Sequence, residues 1–518
     1  MKSFSVLCAF NVSDYAFKQN GAGITPFLKV CKDVEAFPYC KKIIVLVSND
    51  TEQYIRSALQ GPGLSIENYE IVLINNFTAH EIFSEAAAFA EKADGFEHVF
   101  FLYADLPCID LALTEKLFEN HIEYRAEYSF TDGYPDGFAP EILAAGLCKI
   151  LSKLSENETS FAERNFIFET VKKEINNYDI ETLTAPVDLR HLRLRFAADT
   201  KRNALLCEKF ADINSENYAE VISQKSEELF TLPAYYSIEL SNQYALPSIY
   251  KPALIQEKKI MQKENAFLLI EKIAEYSDDA VISLSVLGEP SLYPCITEII
   301  EKILSYPKLS VLIETSGLHW TNPVIEKIKT IINNSPARKN SALPIYWIIC
   351  IDAVSSQMYA KVHSIPEDDA NIKLKQAVTF ADTLNKTFTN SVWTQIVRMN
   401  ENEIEVEPFY RFWKDLKVNV IIQKFDTFCK ILDDKRVADL SPFERNPCWH
   451  IKRDMYILTD GRVPLCREDI YCKHILGNAF TDNLDIIRKN AFKFYKQHLT
   501  CEYSALCGDC DEYYTFNF

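Results

Sequence analysis

Continuous apolar runs rich in Val, Ile, Phe and Tyr recur through the first 440 residues, each separated from the next by a helical stretch. This alternation restricts what the chain can become more than any other feature. Four such runs come early: SFSVLCAF from Ser3, KKIIVLVS from Lys41, YEIVLIN from Tyr69 and HVFFLYAD from His98. A strand that is apolar at every position buries both faces, whereas a half-exposed strand alternates. The stretch 1–225 therefore predicts a doubly wound α/β sheet covered by helices on both sides. It ends in the polar segment Asn214 to Glu228, which reads as helix or linker.

Six further runs follow: AYYSIELS, AVISLSVLG, LSVLIETSG, PIYWIICID, SVWTQIVRM and VNVIIQKFD. Helical stretches such as Gln256 to Tyr276 and Ile404 to Lys414 lie between them. Six βα units in about 200 residues stop short of a closed eight-unit barrel, which takes about 250. The stretch 226–440 thus predicts a partial (βα)6 barrel with its functional loops at one mouth. The acidic run Glu401 to Glu407 reads as a solvated helix start, where negative charge suits the helix dipole.

From 441 to 518 the apolar pattern gives way to cysteine. Of 15 cysteines, Cys448, Cys466, Cys472, Cys501, Cys507 and Cys510 fall here. So small a module has little core of its own, and a metal staple is the expected remedy. The N-terminal MKSFSVLCAFNVSD reads as a first strand rather than a signal peptide. The most apolar run, Val99 to Leu113, is broken by Asp105, Pro107 and Asp110, so no membrane span is expected. The expected compartment is the cytoplasm, where thiols stay reduced and clustered cysteines point to metal before disulfides. A net charge of −18 argues against a nucleic-acid surface, which needs a basic face.

Within the module, Cys448 and Cys466 are distant in sequence, while C-G-D-C at 507–510 sets two thiolates on one tight turn. A distant pair plus a close pair makes a four-thiolate site of the kind that holds an iron–sulfur cluster or zinc. His450, His474 and His498 lie among these cysteines and are expected at the surface or in hydrogen bonds, and Trp449 is expected to pack over the site.

The first Cys, the D-G-R-V-P-L-C turn at 460–466, the L-G-N at 476–478 and the final C-x-x-C extend over nearly all of residues 446 to 511. In these pieces the chain resembles the SPASM domain appended to many radical SAM enzymes. The resemblance implies one auxiliary [4Fe-4S] cluster on Cys448, Cys466, Cys507 and Cys510, with Cys472 and Cys501 as extra thiols able to substitute. The two-cluster form carries C-x2-C-x5-C, whereas this chain has C-x5-C-x2-C, so one cluster is expected.

The middle stretch resembles a radical SAM barrel in order as well as motif. Leu287-Gly288-Glu289-Pro290 is similar to the G-G-E-P that meets the amino group of S-adenosylmethionine. Glu314-Thr315-Ser316-Gly317, then Ile351-Asp352 with Met358-Tyr359, match the following strand ends. The loop after the first strand departs from the family. Its frame survives in Asn242 and Pro252, but the three cysteine positions of C-x3-C-x2-C are Tyr244, Ser248 and Lys251. None is a soft thiolate. The resemblance then implies a degenerate barrel without the cluster that cleaves S-adenosylmethionine, with Gly288, Glu289 and Pro290 as a residual binding motif or a relic of the fold.

The first stretch resembles nucleotidyltransferases of the sugar-acid cytidylyltransferase type, through F-F-L-Y-A-D-L-P at 100–107 and L-R-L-R-F-A-A-D-T at 192–200. The resemblance implies Asp105 and Asp199 as carboxylates holding Mg²⁺ on a nucleotide, with 136–141 shaping an acceptor pocket. The opening loop departs from it: between 11 and 23 only Lys18, Gly21 and Gly23 suit phosphates, and Asp14 repels them. Active nucleotidyl transfer, non-catalytic binding of a nucleotide or nucleotide-sugar, and a purely structural domain all remain open.

Taken whole, the chain resembles the spirochaete-type SPASM proteins. Two functions compete. One is an iron–sulfur protein that docks an unidentified protein partner or passes it electrons. The other is an enzyme acting on a nucleotide-linked sugar or envelope precursor. A zinc-stapled scaffold is a third.

Overall fold

The early apolar runs become strands β1 (Ser3–Cys8), β2 (Cys40–Val47), β3 (Tyr69–Leu73) and β4 (His98–Tyr103), joined by β5 (Tyr128–Asp132), β6 (Glu141–Ala144) and β7 (Ile180–Thr184). The computed structural model describes all residues except 11, 20–22, 61–63, 93–94, 254–256, 339–341 and 515–518. The sheet order is β3-β2-β1-β4-β6-β5-β7. Strands β1 to β4 pair in parallel, and the four-residue β6 runs antiparallel to both neighbours.

Alternate residues of these strands serve opposite cores. Phe4, Val6, Val99 and Phe101 enter one hydrophobic cluster, while Leu7, Phe100 and Leu102 enter another on the other face. This is why the runs lack polar alternation. After β3 the chain returns to place β4 on the far side of β1. The carboxyl ends of β1 and β4 therefore flank a topological switch point, where open α/β sheets bind ligands. Asp105 follows β4 directly at that point. The segment Asn214 to Glu228 carries a helix at Tyr218–Gln224. Residues Met1–Glu228 make one compact unit; Leu229–Arg338 and Ala342–Phe518 make a second.

All six later runs are strands of the second unit: β8 (Tyr235–Ile238), β9 (Ala280–Ser283), β10 (Leu309–Thr315), β11 (Ile345–Cys350), β12 (Val392–Arg398) and β13 (Asn419–Lys424). They lie in consecutive order and pair in parallel throughout. Strict order means that every crossover advances the same way, which is the start of a barrel. The α/β class and the parallel (βα)6 arrangement are those expected. A seventh strand, β14 (Asp454–Ile457), comes from the cysteine-rich stretch and pairs in parallel with β8, Asp454 opposite Tyr235. The module after residue 440 thus extends the barrel sheet, and β15 (Arg462–Pro464) and β16 (Ile475–Asn478) form an antiparallel ribbon beyond it.

Helix Lys263–Ser277 begins later than expected; Gln256 lies outside the described residues. Helix Glu403–Asp415 matches its run, but the acidic residues there are engaged rather than merely solvated. Glu405 accepts from the backbone N–H of Val354 at 2.6 Å, and Glu401 pairs with Lys435. Helix Leu484–Leu499 fastens the module through Arg488, whose buried guanidinium donates to the carbonyls of Thr231, Ile451 and Lys452 and lies 3.4 Å from the centre of the Phe230 ring.

Candidate functional site

The four expected cysteines come from three separate pieces of chain. Cys448 precedes the short helix Trp449–Arg453. Cys466 follows β15 after a turn at Gly461, whose φ is +85°; a Cβ there would stand 2.4 Å from Asn478 Oδ1 and 2.6 Å from the Phe480 ring. Cys507 sits in the turn of helix Ala505–Gly508, where the Ser504 hydroxyl accepts from its backbone N–H at 3.2 Å. Cys510 closes that turn by donating its N–H to the Cys507 carbonyl at 3.3 Å.

The fold brings these four thiols together. Burial pushes the Cys448, Cys466 and Cys507 thiols up, and every pair among the four adds mutual repulsion. Four thiolates this close in a buried site need a cation among them, because thiolate is the metal-binding form and unpaired buried charge is costly. The donor set therefore fits a soft metal or cluster.

The surroundings support the same space. The neutral His498 accepts from the Cys448 N–H through Nδ1 at 3.3 Å; burial first, then Arg445, hold its pKa down at about 4. Arg445 donates to the Cys507 carbonyl at 2.5 Å and lies between the rings of Tyr503 and Tyr513. His450 pairs with Asp454, and His474 packs edge-on against Phe494. The two extra thiols lie elsewhere. Cys472 lines a cleft with Glu239 and Asp469, and Cys501 is exposed beside Tyr503. A fifth thiol that sequence reasoning missed does approach: Cys429, pushed up by its hydrogen bond to Cys510 and then by burial. An isolated cysteine in T-F-C-K carries no spacing signal.

Beside this set, Asp426, Asp511 and Glu512 place carboxylate oxygens within 4.8 Å of one another. Protein cations already serve them. Lys424 pairs with Asp511 at 2.9 Å and with Glu512, and Arg467 pairs with Asp426 at 2.9 Å.

At the barrel mouth, the three positions that lack cysteine are occupied by ordered local contacts. The Tyr244 hydroxyl donates to the Pro252 carbonyl at 3.0 Å, and Ser248 Oγ is 3.0 Å from His363 Nδ1. The Lys251 ammonium lies 5.7 Å from the Tyr244 ring centre and 5.9 Å from that of Tyr250. The Tyr250 hydroxyl donates to Asp352, which is fully buried at the end of β11 with its pKa pushed up by burial to about 6.

Gly288 and Glu289 hold loops together. A Cβ on Gly288 would fall 1.8 Å from the Ser241 carbonyl oxygen, so only glycine lets the loop after β8 approach. The Glu289 N–H donates to the Gln243 carbonyl at 2.8 Å. Its carboxylate accepts from Thr315, from the N–H and hydroxyl of Ser316 and from the Ser291 N–H. Pro290 opens the turn that follows.

In the first unit, Asp105 and Asp199 come together across an arginine that the sequence did not single out. Arg164 Nη2 donates to Asp105 Oδ2 at 2.5 Å, and its Nε lies 3.7 Å from Asp199 Oδ2. Arg195 adds a second cation, 3.6 Å from Asp199 and 2.6 Å from Asp136. Burial raises the Asp105 pKa and Arg164 counters it. A pocket of about 60 Å³ here includes Asp136, Glu141, Arg164 and Tyr103. In the expected phosphate loop, Lys18 rests over the Tyr15 ring, Gly23 has a φ of +75°, and Gly21 lies outside the described residues.

No family model matches the chain. The crystal structure of BtrN in complex with AdoMet and 2-DOIA is similar at 15% identity and a TM-score of 0.36, covering 54% of this chain and 93% of that one. A cytidylyltransferase from Leptospira borgpetersenii is similar at 14% identity and a TM-score of 0.36, covering 44% of this chain and 96% of that one. An uncharacterized protein of Treponema pallidum (strain Nichols) is 50% identical over 358 residues, which are 68% of this chain and 99% of that protein. At that identity and coverage, this chain belongs to the same family as the treponemal protein.

Proposed function

We propose that this chain is an iron–sulfur protein of radical SAM/SPASM type that has lost the S-adenosylmethionine-cleaving cluster. It binds one auxiliary [4Fe-4S] cluster on Cys448, Cys466, Cys507 and Cys510 and exchanges single electrons with a protein partner in the cytoplasm. The observation that carries this reading is the convergence of those four thiols from three pieces of chain, each within electrostatic reach of the other three.

One further point favours a silent barrel over an active one. Tyr244, Ser248 and Lys251 offer no thiolate to a second cluster. When bound, the auxiliary cluster supplies a one-electron redox centre. The chain's residues surround it, with the Cys448 N–H directed to His498.

The first unit is read as holding no catalytic metal. Arg164 stands between the two carboxylates that Mg²⁺ would bridge. A nucleotide or nucleotide-sugar bound there would meet guanidinium groups, not a hard cation.

The test is anaerobic reduction with dithionite in the presence of S-adenosylmethionine. The reading expects an electron paramagnetic resonance signal from one reduced cluster and no 5′-deoxyadenosine. Formation of 5′-deoxyadenosine by the purified chain would overturn it.

A further inference from the structure

After β13 the chain makes a turn that L-residues avoid. Phe428, Cys429 and Lys430 follow one another with φ of +49°, +54° and +64°, and none is glycine. In that region each Cβ crowds the backbone, so the run is opposed at all three residues. Local bonds hold it in place. The Asp426 carboxylate accepts from the Phe428 N–H at 2.7 Å and the Thr427 hydroxyl from the Lys430 N–H at 3.3 Å. The Thr427 carbonyl accepts from the Leu432 N–H at 3.0 Å.

Ion pairs then fasten this segment to the end of the cysteine module. Lys424 pairs with Asp511 at 2.9 Å and with Glu512, Lys430 pairs with Asp509, and Arg436 pairs with Asp511 at 2.9 Å. The three acids bracket Cys510 in sequence, and the three bases bracket Cys429. Between these pairs the two thiols meet, Cys429 hydrogen-bonded to Cys510. On another side of the turn, the Phe428 ring centre lies 5.4 Å from the Arg467 guanidinium, which neighbours Cys466 in sequence.

The direction of the sulfur–sulfur bond follows from the role given to Cys510. A cysteine binds iron as thiolate and then carries no proton. The Cys510 sulfur therefore accepts, and the Cys429 S–H donates. The Glu512 N–H points to the same sulfur at 3.3 Å, so Cys510 receives a backbone donor and a side-chain donor together. A donor on a ligand sulfur draws electron density from it. Reduction adds negative charge to the cluster, so the donor favours the reduced state and raises the potential.

We propose that Cys429 sets the reduction potential of the auxiliary cluster by donating its S–H to the Cys510 sulfur, with the left-handed turn and its ion pairs holding it there. It is not a ligand and acts only through Cys510. This inference rests on the cluster reading given under Proposed function.

The experiment uses the full chain, purified anaerobically, as wild type, Cys429→Ala and Cys429→Ser. Both variants keep a Cβ, so the backbone preference of the turn is unchanged, and circular dichroism checks the fold. Iron content is measured first, then a redox titration followed by electron paramagnetic resonance. Cys429→Ala should keep its iron. At a given potential its ratio of reduced to oxidised cluster should fall about tenfold, a midpoint lower by about 59 mV for one electron. Cys429→Ser should recover part of that shift, because a hydroxyl also donates. After exchange into D2O, electron–nuclear double resonance of the reduced cluster should show one exchangeable proton fewer in Cys429→Ala than in the wild type. A change of packing alone would not remove that proton. A wild-type chain without iron overturns this proposal together with the cluster reading. An unchanged midpoint in Cys429→Ala with its cluster intact overturns this proposal alone. Loss of iron from both folded variants also overturns it, by making Cys429 a ligand.

Discussion

Arg164 donates to Asp105 at 2.5 Å and so puts a guanidinium where the sequence motif leads one to expect a divalent cation. Asp105 is 2% exposed, and Asp199 lies on the other side of the same guanidinium. The consequence is testable. Mg²⁺ should leave the thermal midpoint of the wild-type chain unchanged. Arg164→Ala should cost about 3–5 kcal/mol in urea denaturation, since it abandons a buried charge. Mg²⁺ should then recover part of that loss, because two facing carboxylates attract a hard cation. A Mg²⁺-dependent shift in the wild-type protein would contradict this account.

Gly288 joins two loops of the barrel rather than merely marking a ligand motif. Gly288→Ala drives a Cβ to 1.8 Å from the Ser241 carbonyl oxygen, a backbone atom that cannot swing away. The expected outcome is a loss of about 3 kcal/mol or more, or failure of the second unit to fold. Urea denaturation of the full chain measures it, and a loss below about 0.5 kcal/mol would show that the loops separate freely.

Glu239 makes stability depend on pH in a definite direction. Burial pushes its pKa up from 4.5 to about 7. A carboxyl group that binds its proton more tightly when folded contributes stability below its unfolded pKa. That contribution is lost as pH rises from about 4.5 to 7. Its loss is on the order of 3 kcal/mol across that window. Glu239→Gln should remove this component, so the variant gains on the wild type as pH rises and the gap is constant above about pH 8. Parallel melts of the two proteins from mild acid to mild alkali read the difference directly.

The cysteines should divide by position, not by number. Serine at 448, 466, 507 or 510 should each abolish stoichiometric iron binding. Serine at 472 or 501 should leave it intact, because Cys472 sits in a cleft with Glu239 and Cys501 is exposed. Cys429→Ser should keep the iron but alter the reduced-cluster spectrum, because Cys429 is hydrogen-bonded to Cys510. Iron analysis and electron paramagnetic resonance distinguish the three groups.

The strands were legible because buried parallel strands write themselves as unbroken apolar runs, as in β4 and β11. β14 was not, because its four residues, D-M-Y-I, are too short to stand out and lie inside a cysteine motif. The four cysteines could be grouped from their spacing, but Cys429 could not, since its approach to Cys510 depends on how the chain after β13 turns. Arg164 was hidden for the same reason: 59 residues separate it from Asp105, and nothing in E-R-N-F announces that reach. Lys251 could be read as a missing ligand, whereas its place beside the rings of Tyr244 and Tyr250 emerges only once the loop after β8 has folded.

The measurement that bears most directly on the central claim is iron, acid-labile sulfide and zinc per chain after strictly anaerobic purification. The account predicts about four iron and about four sulfide with no zinc, the content of one [4Fe-4S] cluster. Zinc without iron would contradict it and make the cysteine module a staple. About eight iron would contradict it differently, by placing a second cluster in a barrel that offers Tyr244, Ser248 and Lys251 in place of thiolates.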